Sequence, residues 1–406
     1  MLNKRTIIII GAGVTGLSTA YRLAKKGAGK IIVFDKGKTG DGSSSRAAGI
    51  ITGLLWSKTG IEARKVALRL FRELSSELNG YSFQDVGTLN LLDRQAWEQR
   101  KLLLLLYEQC GAPFEILTAK EMRTRWPDLC PSGELVGLFD PLGGYSEPED
   151  YLAALKIACI KLGVDIREEE PVRDFVLRSG SIAGVMTDRE LIEADTVIST
   201  VYGWTNVLFS RLGLKLPVKT VVHQRYVTEP LHHPVSIPCV NADPFYGYCR
   251  HAAGGRLLFG IETADREEWR VSDMDFHLDD LLSSTDPRYK EAVLREKVKQ
   301  NFSSYFPPIK SLRWESSKTG LLTFSMDGEP ILGPIAEIPG LFVGVAFHSG
   351  GFAYNPVSGL LLAELVTEGK TSVNIDAFSP SRFSNEQIEK YLAQTVQQKN
   401  VAKRRH

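Results

Sequence analysis

An unbroken apolar run at residues 7–10 stops at Gly11-Ala12-Gly13-Val14-Thr15-Gly16, after which Leu17, Ala20, Leu23 and Ala24 recur at helical spacing up to Gly27 and Gly29. A second apolar run, residues 31–34, closes on Asp35. Strand, glycine turn, helix, strand and acid in this order predict a βαβ unit of a parallel sheet. Helical periodicity covers 62–79 and 95–110, while 85–92 alternates as a strand. Residues 148–162 read as a helix, and 164–166 and 194–200 as strands. Residues 219–228 and 246–262 read as antiparallel strands, the second stretch folded at Gly254-Gly255. A strand at 341–345, a turn at Gly350-Gly351 and a helix over 357–366, with Pro356 as its starting residue, return to the first pattern. The fold class is α/β, with a nucleotide layer (1–80, 147–216, 316–390) interleaved with a substrate domain (81–146, 217–315) and followed by a tail (391–406).

The glycine turn has a chemical meaning. Gly11 permits the tight turn, Gly13 leaves room for backbone to approach phosphates, and Gly16 lets the helix pack closely on the strand; Val14 and Thr15 start the helix whose N-terminus faces the anion. Asp35 suits a ribose 2'-hydroxyl and repels the extra phosphate of NADP, so the expected ligand is FAD or NAD. The polar loop at 37–45 is placed to touch that ligand.

Composition narrows the class. Among 406 residues, 49 basic and 48 acidic side chains nearly cancel, so the charge gives no reason to expect a nucleic-acid partner. Five cysteines, Cys110, Cys130, Cys159, Cys239 and Cys249, lie far apart and without CxxC spacing, which points to a reducing compartment. The longest apolar run, 102–106, is far short of the ~20 residues that span a bilayer. A soluble, cytoplasmic protein is the expectation. His223, His232, His233 and His251 form no metal-ligand spacing with Cys or Asp, so no metal is expected.

Five segments resemble the glutathione-reductase-like FAD proteins, and among them the D-amino-acid oxidase, glycine oxidase and sarcosine oxidase group. They are Gly11–Gly16 with Asp35 and the adjoining Lys36; the small-residue loop Gly42-Ser43-Ser44-Ser45-Arg46-Ala47-Ala48-Gly49; Glu170-Pro171-Val172; residues 194–204, similar to "aDtVvnAaGaW" and including Thr200, Gly203 and Trp204; and 326–334 followed by 340–344 and Ser349-Gly350-Gly351-Phe352. Residues 320–327, from Gly320, resemble the "GpesfTPD" run of sarcosine and dimethylglycine dehydrogenases and the related proline dehydrogenases. Residues 346–351 resemble their "CGFNSAG".

The resemblance implies an FAD-binding Rossmann domain interleaved with an α+β substrate domain built on an antiparallel sheet. It implies hydride transfer from the C–N bond of a sarcosine, dimethylglycine, proline or glycine type of substrate, with the imine then hydrolysed. Oxygen or an electron-acceptor protein takes the electrons, and both homo- and hetero-oligomers occur in such a family. Relatives with histidyl-linked flavin carry His where Arg46 stands, and those with cysteinyl linkage carry Cys near Gly320, so the FAD is expected to be held non-covalently. The usual carboxylate anchors, an Arg and a Lys, are replaced by Leu322 and Ala353.

Reduced flavin carries negative charge, which a helix N-terminus after Gly350-Gly351 would stabilise. For the substrate carboxylate, Tyr246, Tyr248 and Arg250 alternate along one strand and share a face. His348, before the glycine turn, is a further candidate catalytic residue. Arg46 and Lys318 are cations in segments expected near the cofactor. Two alternatives stay open: oxidation of a 2-hydroxy acid or glycerol 3-phosphate on the same fold, and a flavin-binding subunit without turnover.

Overall fold

The computed structural model describes residues 5–242, 247–261, 268–283 and 291–395. Its first layer is a six-stranded sheet in the order Ile331–Pro334, Leu341–Val345, Thr196–Ser199, Thr6–Ile10, Lys30–Phe34, Asp165–Arg167. All neighbours pair in parallel except the first two strands. The continuous apolar runs of the sequence follow from burial on both faces. Ile7, Ile9, Ile31 and Val33 join the core that includes the helices Val14–Lys25 and Gly351–Glu368. Ile8, Ile10, Ile32 and Phe34 belong to a second core, shared with the antiparallel strands Val172–Arg178 and Ser181–Thr187.

The second layer is an eight-stranded sheet in the order Trp314–Ser325, Val218–Thr228, Arg256–Ile261, Gly247–Ala252, Cys239–Ala242, Thr88–Leu92, Val136–Asp140, Glu115–Thr118. Cys239–Ala242 and Thr88–Leu92 form its one parallel pair among the described residues. One face packs Tyr226, Val240, Cys249 and Phe259 with Leu294, Val298 and Phe302 of the helix Glu291–Phe302. The expected hairpin at Gly254-Gly255 is present, with Ala252 opposite Arg256.

Two expectations are corrected here. Residues 316–325, assigned above to the nucleotide layer, lie in the strand Trp314–Ser325, which pairs with Val218–Thr228 along almost its whole length. Its polar first half, Glu315 to Lys318, hides the alternation that would mark a strand. The last long helix begins at Gly351 instead of 357, so Pro356 lies inside it. Pro356 has no N–H to give the Phe352 carbonyl, and the Asn355 Nδ2 donates to that oxygen instead. Among the described residues no helix is long and apolar enough to cross a membrane.

The helices Val14–Lys25 and Gly351–Glu368 meet where Gly359 faces Ser18: a Cβ at Gly359 would lie 2.5 Å from the Ser18 carbonyl carbon. The obstacle is backbone and cannot swing away. Gly359→Ala should therefore destabilise the chain by about 1–3 kcal/mol, read as a lower urea midpoint at unchanged m-value.

Candidate active site

Between the two layers runs a cleft with ≈ 1930 Å³ of space not filled by atoms, part of it open solvent. At one end, Gly11 takes φ +106°, a conformation that side chains disfavour, and a Cβ on Gly16 would lie 1.9 Å from the Gly11 carbonyl oxygen. A Cβ on Gly13 would lie 2.8 Å from Ser44 Oγ, so the turn presents bare backbone to the cleft. The helix that follows has no side-chain cap on Gly13; the Val14 N–H donates to Ser44 Oγ at 3.1 Å.

Asp35 accepts from the Ala12 N–H at 2.7 Å and the Gly37 N–H at 2.9 Å. Burial pushes its carboxyl up to about 6, against the opposing pull of these two donors and of Lys36. The Lys36 ammonium lies 4.0 Å from the Trp204 ring centroid and donates to the carbonyls of Met274 and Phe276; burial lowers it to about 8. Those carbonyls belong to a stretch that closes one wall of the cleft with Met274, His277 and Leu278. Arg173–Asp275 and Arg46–Asp279 ion pairs, each 2.6 Å, hold the same stretch.

The far end is polar. Tyr248 lies opposite Asn241 in register, and its ring crosses Gly260 of the neighbouring strand to put Oη 2.6 Å from His223 Nε2. A Cβ on Gly260 would lie 2.1 Å from the Tyr248 Cζ and Oη, so only glycine leaves that path open. Asn241 Nδ2 is buried and has no hydrogen-bond partner among the described residues. His223, Asn241, Tyr248 and Leu322 line the cleft, as do Tyr202, Phe347, Ser349, Gly351 and Phe352 around the start of the helix Gly351–Glu368. That helix too lacks a side-chain cap. A dinucleotide with a ring system fits this arrangement: bare backbone and a helix N-terminus for phosphates, a buried acid for a ribose, and a second helix N-terminus at the far end.

Most residues expected at the cofactor line the cleft: Gly11, Gly13, Val14, Thr15, Asp35, Lys36, Ser43, Ser44, Arg46, Ala47, Ala48, Gly49, Val172, Thr200, Trp204, Gly320, Ser349, Gly351 and Phe352. Gly16, Ser45, Gly203, Gly350 and Ala353 stand behind that surface. Gly16 packs on the turn, Gly350 precedes the helix, and the Ser45 carbonyl accepts from Arg225 and Lys318.

The expected substrate-site residues fare differently. Tyr246 lies outside the described residues. Tyr248 lines the cleft, but Arg250 does not: it is wholly buried, grips Glu147 with two bonds of 2.8 and 3.0 Å, and donates to the Ala48 carbonyl. A buried guanidinium needs such a counterion, and here it is turned to Glu147 and the loop backbone and away from the cleft. His348 is also corrected. With φ +56° its ring turns edge-on to Phe324 and lies 3.4 Å from Ser325 Oγ, while its carbonyl accepts from Tyr202 Oη at 3.0 Å. Lys318 pairs with Glu149 at 2.5 Å.

His223, Asn241 and Tyr202 are among the cleft residues that the sequence reading did not single out. Asn241 and His223 come from strands that only pairing brings beside Tyr248. Tyr202 stands at the glycine of the "aDtVvnAaGaW" pattern and keeps a left-handed φ of +50°, a departure visible in the sequence.

A family model described as DAO, FAD dependent oxidoreductase, matches residues 6–365. The chain is similar to the 4-methylaminobutanoate oxidase (formaldehyde-forming) of Paenarthrobacter nicotinovorans, 28% identical over 387 residues, covering 94% of this chain and 46% of that protein. It is similar to sarcosine oxidase subunit beta of Rhodobacter capsulatus, 25% identical over 94% of this chain and 90% of that protein. Among solved structures it is similar to L-proline dehydrogenase from P. horikoshii, with a TM-score of 0.84 and 25% identity over 94% of this chain and 98% of that one. The chain thus spans about half the length of the first relative and nearly all of the other two.

The proton on Asp35 gives a signed pH dependence. Its folded value of about 6 lies above the ordinary 3.8, so between these values the folded chain keeps a proton that the unfolded chain releases. Without FAD, this group's contribution to stability is therefore present below the lower value and lost as pH rises through the window. FAD binding should run the other way, since an ionised Asp35 is the better acceptor for a ribose hydroxyl. Affinity measured by flavin fluorescence should strengthen as pH rises from about 5 to about 7, and Asp35→Asn should flatten most of that rise.

Proposed function

Because the chain belongs to the DAO family of FAD dependent oxidoreductases, we propose that it oxidises the C–N bond of a small amino acid or secondary or tertiary amine, of the sarcosine, dimethylglycine, proline or glycine type. The observation that carries this reading is that the His223–Tyr248 pair and the Asn241 Nδ2, unpartnered among the described residues, line the same cleft as the start of the helix Gly351–Glu368. Bound FAD supplies the acceptor for the two electrons and the proton of a hydride.

The chain's own residues bind and orient. Gly11, Gly13 and Val14 hold the phosphates, Asp35 the ribose, and the loop Ser43–Gly49 with Gly320 flanks the path toward the ring system, non-covalently. At the far end Asn241 Nδ2 donates to the substrate carboxylate in place of the cationic anchors missing at Leu322 and Ala353. Tyr248 Oη and His223 Nε2 share one proton position 2.6 Å across, suited to relay the amine proton away as carbon loses its hydride. The C=N product then takes up water to give a carbonyl compound and an amine. Phe347 and Phe352 keep water from the ring end.

Anaerobic mixing of the purified flavoprotein with sarcosine, dimethylglycine, L-proline and glycine tests the reading directly. Bleaching of the flavin absorbance by one of them is expected. Bleaching only by 2-hydroxyglutarate or glycerol 3-phosphate would replace it with the hydroxy-compound reading. Readmitting air then tells oxygen from a protein acceptor.

The Tyr248 geometry yields a sharper expectation. Gly260→Ala forces the ring off its path and should slow flavin reduction on the order of 10²-fold while FAD stays bound, as checked by stopped-flow reduction beside the unchanged flavin content.

A further inference from the structure

A buried cation lies behind the turn that starts the helix Gly351–Glu368. Arg64, on the helix Lys58–Glu77, is fully inaccessible to solvent. Its Nη1 donates to the Thr52 carbonyl at 3.2 Å, its Nη2 stands 3.5 Å from the Gly350 carbonyl oxygen, and its guanidinium carbon lies 4.2 Å from the Tyr354 ring centroid. Its Nε has no hydrogen-bond partner.

The nearby carboxylate, Asp140, turns its oxygens to Thr52 Oγ1 and to the N–H groups of Gly53 and Leu142, and not to Arg64. Arg250 grips Glu147 and Lys219 lies 2.6 Å from Glu268, whereas Arg100, also wholly buried, bonds the Leu54 carbonyl and Tyr107 Oη and, like Arg64, makes no ion pair among the described residues; of the two, Arg64 is the one that reaches the Gly350 turn. It contacts two carbonyls and an aromatic face. Burial lowers it only to about 10, so it stays charged at neutral pH.

No carboxylate pairs with Arg64 among the described residues, Asp140 acting on it only through space, and a charge so placed acts over a long distance in a poorly polarisable interior. Here its field adds to that of the uncapped helix N-terminus beginning at Gly351. Uptake of two electrons and one proton leaves flavin with one more negative charge, which such a field favours.

We infer that Arg64 is a positioning residue for electron uptake: through the Gly350-Gly351 turn its charge raises the reduction potential of the bound flavin. The inference rests on the reading above that the ring end of FAD lies at this turn. Arg64 does not line the cleft, so its role is electrostatic and it touches no substrate.

The test is the flavin potential of the holoprotein, measured by equilibration with a reference dye under dithionite, in wild type, Arg64→Met and Arg64→Lys. No amine is present, so failure of the substrate reading leaves this result untouched. Arg64→Met should shift the reduction equilibrium at least about tenfold toward the oxidised form, about 30 mV for a two-electron couple. Arg64→Lys, which keeps the charge, should stay within about twofold. In turnover, Arg64→Met should lower kcat and leave KM unchanged.

A potential unmoved in Arg64→Met, with only thermal stability altered, overturns the inference. So does an equal fall in both variants, because charge would then not be the cause. If Arg64→Met fails to fold, Arg64→Gln is read by the same criteria. If the neutral variants fold by circular dichroism yet lose FAD as readily as Arg64→Lys does, the inference is likewise overturned.

Discussion

Two helices that can approach only through glycine fix the geometry of the cleft. Gly16 lets Val14–Lys25 sit against its own turn, and Gly359 lets Gly351–Glu368 cross it at Ser18. Both helices start at the cleft; Ser44 Oγ takes the Val14 N–H of the first from outside the helix, and neither N-cap residue caps with its own side chain. Two helix N-termini therefore line one space, and electron-rich groups are what such ends stabilise. On the reading proposed above, phosphates at the first and a flavin ring at the second would use the two ends in the same physical way.

The loop Ser43–Gly49 shows how the second layer serves the first. Its carbonyls at Ser45 and Ala48 accept from Arg225, Lys318 and Arg250, three cations of the eight-stranded sheet. Glu147 and Glu149, at the start of the helix Pro148–Lys161, answer those charges. Arg250, which reads in the sequence as a substrate anchor, thus joins Arg225 and Lys318 in holding the loop against the sheet. On the reading proposed above the substrate end holds His223, Tyr248 and Asn241 with no Arg or Lys among them, and that composition favours recognition by hydrogen bonds over recognition by a fixed charge. Arg64, by contrast, contacts two carbonyls and the Tyr354 ring behind the start of the helix Gly351–Glu368.

What the sequence by itself determined is local. The run at 7–10, the glycine turn, Asp35 and the later apolar strands announce themselves because strand burial, helix periodicity and close backbone approach each demand particular residues at neighbouring positions. The cofactor segments followed, and most of their residues line the cleft. The helix Gly351–Glu368 was placed too short because Pro356 reads as a boundary, and only the Asn355 amide next to it rescues the interior position.

Tertiary structure alone decided which charges meet. Tyr248 and Arg250 share a strand face by alternation, yet one opens on the cleft while the other is taken by Glu147, 103 residues away in the chain. His223 reaches Tyr248 over Gly260, and Trp314–Ser325 completes the sheet despite its polar first half, through pairings that no local pattern encodes. Strand pairing and ion pairing are long-range and depend on what else is buried nearby, so a residue's type shows what it can do while its partners settle what it does.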